Sequence, residues 1–300
     1  MNISSQLGLG TAPMGNMFRP LTDTESVELI ECALGQGVNF FDTAPLYGAG
    51  VSELRLGLAL RGVPRDSYIL QTKVGRLVQP DGSVSFDYSR DGVLRSIDES
   101  LTRLKLDRID NLLIHDPDFN FGPAIYEAYP TLAELRTQGV VKMIGAGMNQ
   151  FEMLHDFADC GDFDCFLLAG RYSLLQQHSL GFLDMCQQRG INVWLGGTYN
   201  SGILATGAVP NAKYMYVNAP KRILARVHKL EVICAEYSVP LRVVAAQFPL
   251  AHPAVTRVIF GALSAQEFTE TVAGFTHPIP AALWARLKAE GLIQVAAPTA

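Results

Sequence analysis

The sequence predicts a closed (β/α)8 barrel with its site at the C-terminal rim of the strands. Three observations point there. Short apolar or β-branched runs alternate with amphipathic stretches of helical period, the signature of parallel βαβ units. Eight such units fit into 300 residues with no linker, charge block or low-complexity stretch between them. Residues 1–300 therefore read as one barrel domain rather than an open two-sided sheet. Finally, three successive strand-like runs stop on or beside a titratable side chain, at the end of the strand where barrels carry their chemistry.

The first strand is predicted over 7–11. Its segment Gly8-Leu9-Gly10-Thr11-Ala12-Pro13 mimics a dinucleotide fingerprint, but Pro13 stands where the third glycine belongs and no helix starts there, so tight packing is the better reading. The first helix, 24–34, opens on Thr22-Asp23-Thr24-Glu25, a capping-box pattern. Strands at 39–42, 68–73, 109–115, 142–145, 165–168 and 191–195 follow. Helices at 52–60, 89–104, 124–136, 151–157 and 182–189 lie between them. The longer gap before the eighth strand, 256–260, is predicted to hold two helices, 220–237 and 240–248, and a last helix covers 264–273.

Composition narrows the function classes. The chain is 48% apolar and 18% charged, too hydrophobic for disorder, and its net charge of −5 gives no sequence-wide basic surface for nucleic acid. No apolar run reaches the ~18 residues of a membrane span. The start, Met1-Asn2-Ile3-Ser4-Ser5, lacks the basic and apolar regions of a secretion signal. Cys32, Cys160, Cys165, Cys186 and Cys234 are odd in number and never form a C-x-x-C pair. Free, buried thiols in a reducing cytoplasm are expected, with no metal site and no membrane or nucleic-acid partner. Oligomeric state is not legible.

The second strand runs into Asp42, and the loop behind it carries Tyr47. The third ends on Lys73 and the fourth on His115. Singly, Asp42 reads as a turn residue, Lys73 as a solvated strand end and His115 as a hydrogen-bonded core histidine. Together on one rim they read as a site built around an acid–base tyrosine. A free phenol has a pKa of about 10. A neighbouring ammonium lowers it, a carboxylate orients the ammonium, and an imidazole holds the reacting oxygen. No nucleophile stands beside a base, so such a cluster moves protons and leaves the redox step to a cofactor.

Asp42-Thr43-Ala44-Pro45-Leu46-Tyr47-Gly48, Ser52-Glu53, Leu56-Gly57, Thr72-Lys73-Val74-Gly75-Arg76 and Leu113-Ile114-His115 resemble the aldo-keto reductase superfamily over Leu7 to about Gly274. The resemblance implies a catalytic tetrad of Asp42, Tyr47, Lys73 and His115, with a nicotinamide cofactor extended across the barrel mouth. The segments 144–150, 169–175 and 196–204 resemble the aldose 1-dehydrogenase branch, which has pyridoxal and L-galactose dehydrogenases among its relatives. The implied reaction is oxidation of the anomeric C1 hydroxyl of a free aldose of the L-fucose, D-arabinose or L-galactose type to an aldonolactone, with hydride passing to nicotinamide. Carbonyl reduction or pyridoxal oxidation by the same tetrad is the alternative. A cofactor-sensing binding subunit, as among the potassium-channel β subunits of this superfamily, is disfavoured by the intact tetrad.

For the cofactor, Thr11, Asp42 and Asn149 are expected near the nicotinamide. Tyr199, Asn200, Ser201 and Gly202, with Gly261, Ala262 and Leu263, suit a pyrophosphate; an ordinary glycine-rich barrel loop is the competing reading. NADP-preferring family members place a cation around Gly261 and Glu267. Here a glycine and a carboxylate stand there, and a carboxylate repels a 2′-phosphate but accepts from a ribose hydroxyl. NAD is therefore the expected cofactor, with NADP the alternative. Phe86, Tyr88 and segments 118–121 and 211–216 are candidate substrate loops. Lys142, His178, His252 and the helix segment 221–229 read as surface.

Overall fold

The computed structural model describes residues 3–79 and 81–299. Its centre is a closed, all-parallel barrel of eight strands. These are β1 (Leu7–Gly10), β2 (Phe40–Asp42), β3 (Ile69–Val74), β4 (Asn111–His115), β5 (Met143–Met148), β6 (Cys165–Ala169), β7 (Asn192–Gly196) and β8 (Val255–Phe260). Each strand pairs with its neighbours in sequence and β1 closes on β8, as predicted. The gap before β8 holds the two expected helices, Lys221–Glu236 and Leu241–Gln247, each preceded by a proline that fixes the entry angle. Thr22 caps the helix Asp23–Gly35 in a full capping box with Glu25.

Two cores form because strand side chains alternate. Outward residues such as Leu70, Leu112 and Ile144 pack under the helices. Inward residues fill the lumen: Phe40, Leu113, Cys165, Leu167, Trp194 and Ile259 form a separate buried plug. The same alternation carries the site. Two residues above Phe40 on the inward face is Asp42, two and four above Ile69 are Gln71 and Lys73, and two above Leu113 is His115. The plug is the floor beneath them. Gly8 leaves room for it, since a Cβ there would stand 2.9 Å from the Phe40 ring.

Two short hairpins rise beyond the rim, Arg76–Val78 paired with Val84–Phe86 and Lys213–Tyr214 with Val217–Asn218. A helix not predicted from the sequence, Ala281–Ala289, buries Trp284 and packs on Lys221–Glu236. Among the described residues, no helix is long and apolar enough to cross a membrane. Two burial readings are corrected, one in each direction. His252 is buried, because its ring bonds Asp184 Oδ1 and accepts from the Ala254 amide, each at 3.2 Å. Cys160 is exposed and Cys32 half-buried, so only three of the five free thiols lie in the core.

Candidate active site

The loop from Ala44 to Gly50 brings Tyr47 over the barrel mouth. It does so by packing onto the backbone of the β1 loop: a Cβ on Gly15 would stand 2.5 Å from the Tyr47 carbonyl carbon, and one on Gly48 2.4 Å from the Gly15 oxygen. Gly48 and Gly50 also carry positive φ, which glycine adopts without steric cost. Beneath the loop, buried hydroxyls tie it down. Ser52 Oγ lies 2.7 Å from Thr11 Oγ1 and 3.1 Å from Thr43 Oγ1, and Thr11 Oγ1 donates to the Asp42 carbonyl at 2.9 Å.

Lys73 Nζ is the hub. It donates to Asp42 Oδ1 and Oδ2 at 2.8 and 3.0 Å, to the Thr43 carbonyl at 2.9 Å, and to Tyr47 Oη at 3.1 Å. Gln71 Nε2 donates to the same Asp42 Oδ1 at 2.6 Å. The register explains the convergence: Asp42 pairs with Gln71, and Lys73 stands one pleat further along β3. Behind Lys73, Thr72 donates to the fully buried Glu53 at 2.8 Å, and Glu53 pairs with Arg103 at 2.6 Å. His115 meets Tyr47 edge to face, ring centres 5.9 Å apart.

Electrostatics depart from the sequence expectation at Tyr47. Burial pushes its phenol up to about 12, and the opposing pull of the Lys73 ammonium does not overcome it. The lowering expected from Lys73 is thus real in sign and smaller than the cost of putting a phenolate out of water. Burial likewise works against the Lys73 charge, but Asp42 and Tyr47 outweigh it and the ammonium is held above its ordinary value. Burial, reinforced by Lys73 and Arg76, lowers His115 well below the usual histidine range, so the ring is neutral. Its Nδ1 has no hydrogen-bond partner among the described residues.

The cluster opens into a cavity of about 580 Å³. Of the predicted site residues, Asp42, Tyr47, Lys73, His115, Asn149, Asn200, Ser201 and Gly261 line it. Thr11 is sealed beneath, bound to the Asp42 carbonyl. Tyr199, Gly202, Ala262, Leu263 and Glu267 do not line the cavity, and Glu267 is exposed. The Glu267 carboxylate accepts from the Leu263 amide at 2.8 Å and so braces the 261–264 loop. Tyr88 is buried and directs its hydroxyl at the His115 carbonyl, a packing role. Tyr216, in the 211–216 segment expected to meet substrate, lines the cavity too, and so do Arg76, Asp116 and Arg171, which were not singled out as site residues. Arg76 and Arg171 lie within the family-like segments, and Asp116 left the signal of an acid following the strand-end histidine.

Much of the remaining wall is bare backbone. Gly147, Gly170, Gly196 and Gly197 line it beside Gly10 and Gly261. A Cβ on Gly196 would meet nothing nearer than 3.7 Å and would occupy the cavity itself. A cradle that side chains would fill, with an amide-bearing Asn149 at its edge, fits a flat heterocycle such as nicotinamide. Among the described residues no three His, Cys, Asp or Glu side chains gather as metal ligands.

A proton-handling cluster above a side-chain-free wall, at the mouth of a (β/α)8 barrel, defines a barrel oxidoreductase. The pattern of the aldo/keto reductase family matches residues 6–290, and the chain belongs to that family. It is 38% identical to a pyridoxal 4-dehydrogenase of Microbacterium luteolum and 36% identical to a D-threo-aldose 1-dehydrogenase of a Pseudomonas species. Each match covers 96% of this chain and 94% of that protein. An L-galactose dehydrogenase of Arabidopsis thaliana is 31% identical over 91% of this chain and 85% of its own. The fold is shared with an aldo-keto reductase of Bacillus halodurans in its holo form, at a TM-score of 0.81 and 23% identity over 97% of this chain and 93% of that one.

Proposed function

We propose that this protein is an NAD-dependent aldose 1-dehydrogenase, oxidising the anomeric C1 hydroxyl of a free sugar to its lactone. The observation that carries the reading is the unbroken chain Asp42–Lys73–Tyr47, which ends on a hydroxyl facing the same cavity as a neutral His115. The 36% and 31% identities to sugar dehydrogenases support the substrate class.

Nicotinamide, when bound, supplies the hydride acceptor and, in its oxidised form, a positive charge at the mouth. Gly147, Asn149, Gly170 and Gly196 would hold its ring, and the 199–202 and 261–264 loops its phosphates. Tyr47 Oη takes the proton of the C1 hydroxyl. It does so as the phenolate, after its own proton has left to solvent, and Lys73 Nζ, 3.1 Å away, stabilises that phenolate form. Asp42 keeps Lys73 charged and fixed. Neutral His115 donates from Nε2 to the reacting oxygen and holds it beside Tyr47. The lumen plug of Trp194, Ile259 and Leu113 excludes water from below.

The 38% identity to a pyridoxal 4-dehydrogenase, with Phe18 and Tyr216 at the mouth, favours pyridoxal oxidation as a second reading. Purified protein with NAD or NADP and a panel of L-fucose, D-arabinose, L-galactose and pyridoxal separates the two by the ultraviolet absorbance of the reduced cofactor. Reduction of NAD by the sugars is expected. Silence on every sugar, with pyridoxal or simple aldehydes turned over instead, overturns the aldose assignment.

A further inference from the structure

The cavity contains an ion pair that the acid–base chain does not use. Arg76 NH1 stands 2.7 Å from Asp116 Oδ2, and the same oxygen lies 3.7 Å from His115 Nε2. Both side chains line the cavity while mostly withdrawn from solvent. Asp116 Oδ1 has no hydrogen-bond or ion-pair partner among the described residues, so half of a largely buried carboxylate is left open towards the mouth. The backbone goes out of its way to present it. Asp116 has a φ of +42°, in the left-handed region that non-glycine residues rarely occupy, while its amide still extends the β4–β5 ladder to the Gly147 carbonyl at 3.0 Å. Observed strain of this kind beside a reacting centre points to a functional constraint.

We propose that Asp116, held in place by Arg76, binds the hydroxyl on the carbon next to the reacting carbon and selects substrates that carry one. The proposal rests on the reading of Tyr47 and His115 as the anchor of the reacting oxygen. Vicinal oxygens stand about one hydrogen-bond length apart. An oxygen on His115 Nε2 therefore brings its neighbour to the Asp116 carboxylate, which accepts its proton in a charge-assisted bond. Arg76 keeps that carboxylate from turning away. A substrate without the hydroxyl forgoes that charge-assisted bond and is disfavoured by about its worth. Arg171 and Tyr216, across the mouth, are left for more distant hydroxyls.

The test compares substrate pairs that differ by this one group. D-arabinose and 2-deoxy-D-ribose differ only at C2 and are assayed in oxidation; lactaldehyde and propionaldehyde are assayed in reduction. In the wild-type protein, kcat/KM should favour the hydroxylated member by about tenfold to a hundredfold, mainly through KM, the worth of one hydrogen bond to a charged group. Asp116→Asn, whose side chain tolerates the left-handed backbone, should bring that ratio to within a few-fold of one, and Arg76→Met should lower it as well. A wild-type ratio near one, or a ratio unchanged in both variants, overturns the proposal. Silence on all sugars would sink the aldose assignment alone, because the lactaldehyde pair still reads Asp116. Silence in both directions overturns both.

Discussion

At Tyr47 the decisive quantity is the balance between burial and the ammonium beside it. A phenol pushed up to about 12 is protonated through the neutral range. It is therefore ready as an acid and must be driven as a base. Because kcat/KM reports ionisations of the free enzyme, sugar oxidation should rise with pH at near-unit logarithmic slope from neutral into the alkaline range. No acid limb should appear near the ordinary histidine value of about 6.5, since a depressed pKa leaves His115 already neutral above it. An inflection there in a pH series would show that His115 titrates. Tyr47→Phe removes the proton path and should cut kcat by roughly 10²–10⁴-fold. Quenching of protein fluorescence by NADH should persist within a few-fold; a variant that turns over nearly as fast as wild type has another base.

The elements around the site are tied by buried charge as much as by packing. Glu53, on the helix Val51–Ala59, reaches Thr72 on β3 and Arg103 on the helix Arg90–Leu104, so one carboxylate binds three elements directly behind Lys73. Glu53→Ala should cost about 3 kcal/mol, the low end for breaking a buried pair because Arg103 keeps some solvent contact. A urea midpoint equivalent to less than about 1 kcal/mol of loss would put the cohesion elsewhere. The 261–264 loop is braced in the same way. Glu267 accepts from the Leu263 amide, and under the proposed NAD preference its charge would face the ribose. Glu267→Gln keeps an acceptor for Leu263 and discards the charge, so the NADP-to-NAD ratio of kcat/KM should rise by roughly tenfold. An unmoved ratio removes Glu267 from cofactor choice. The helix expected over 124–136 instead starts at Phe121 and passes through a π turn, Ala124–Ala128. Pro130 in the next turn lacks the amide for a regular bond, and the wider turn absorbs that loss.

Across the whole molecule, cofactor and barrel should behave as one thermodynamic system. A ligand seated on the ends of several strands binds only the closed barrel. NAD at a hundred times its Kd should thus add about 2.7 kcal/mol to stability. NADP at the same concentration should add less, and equal shifts in thermal midpoint would count against the NAD preference. The eight strand–helix units, the capping box at Thr22 and three of the four rim residues were legible because they are local: an apolar run, its period and the residue that ends it lie next to one another in the chain. Tyr47 was legible as a loop residue, and the likeness of its surrounding motif to a known family gave it a role. Other features exist only once neighbouring strands and helices have packed. That packing sets Arg76 against Asp116, buries His252 against Asp184, and bares the glycine wall formed from β5, β6 and β7. It also decides the pKa of Tyr47, because desolvation depends on what covers a group in space. The chain alone determined which chemistry is present; folding decided how far each group is removed from water and what stands within reach of it.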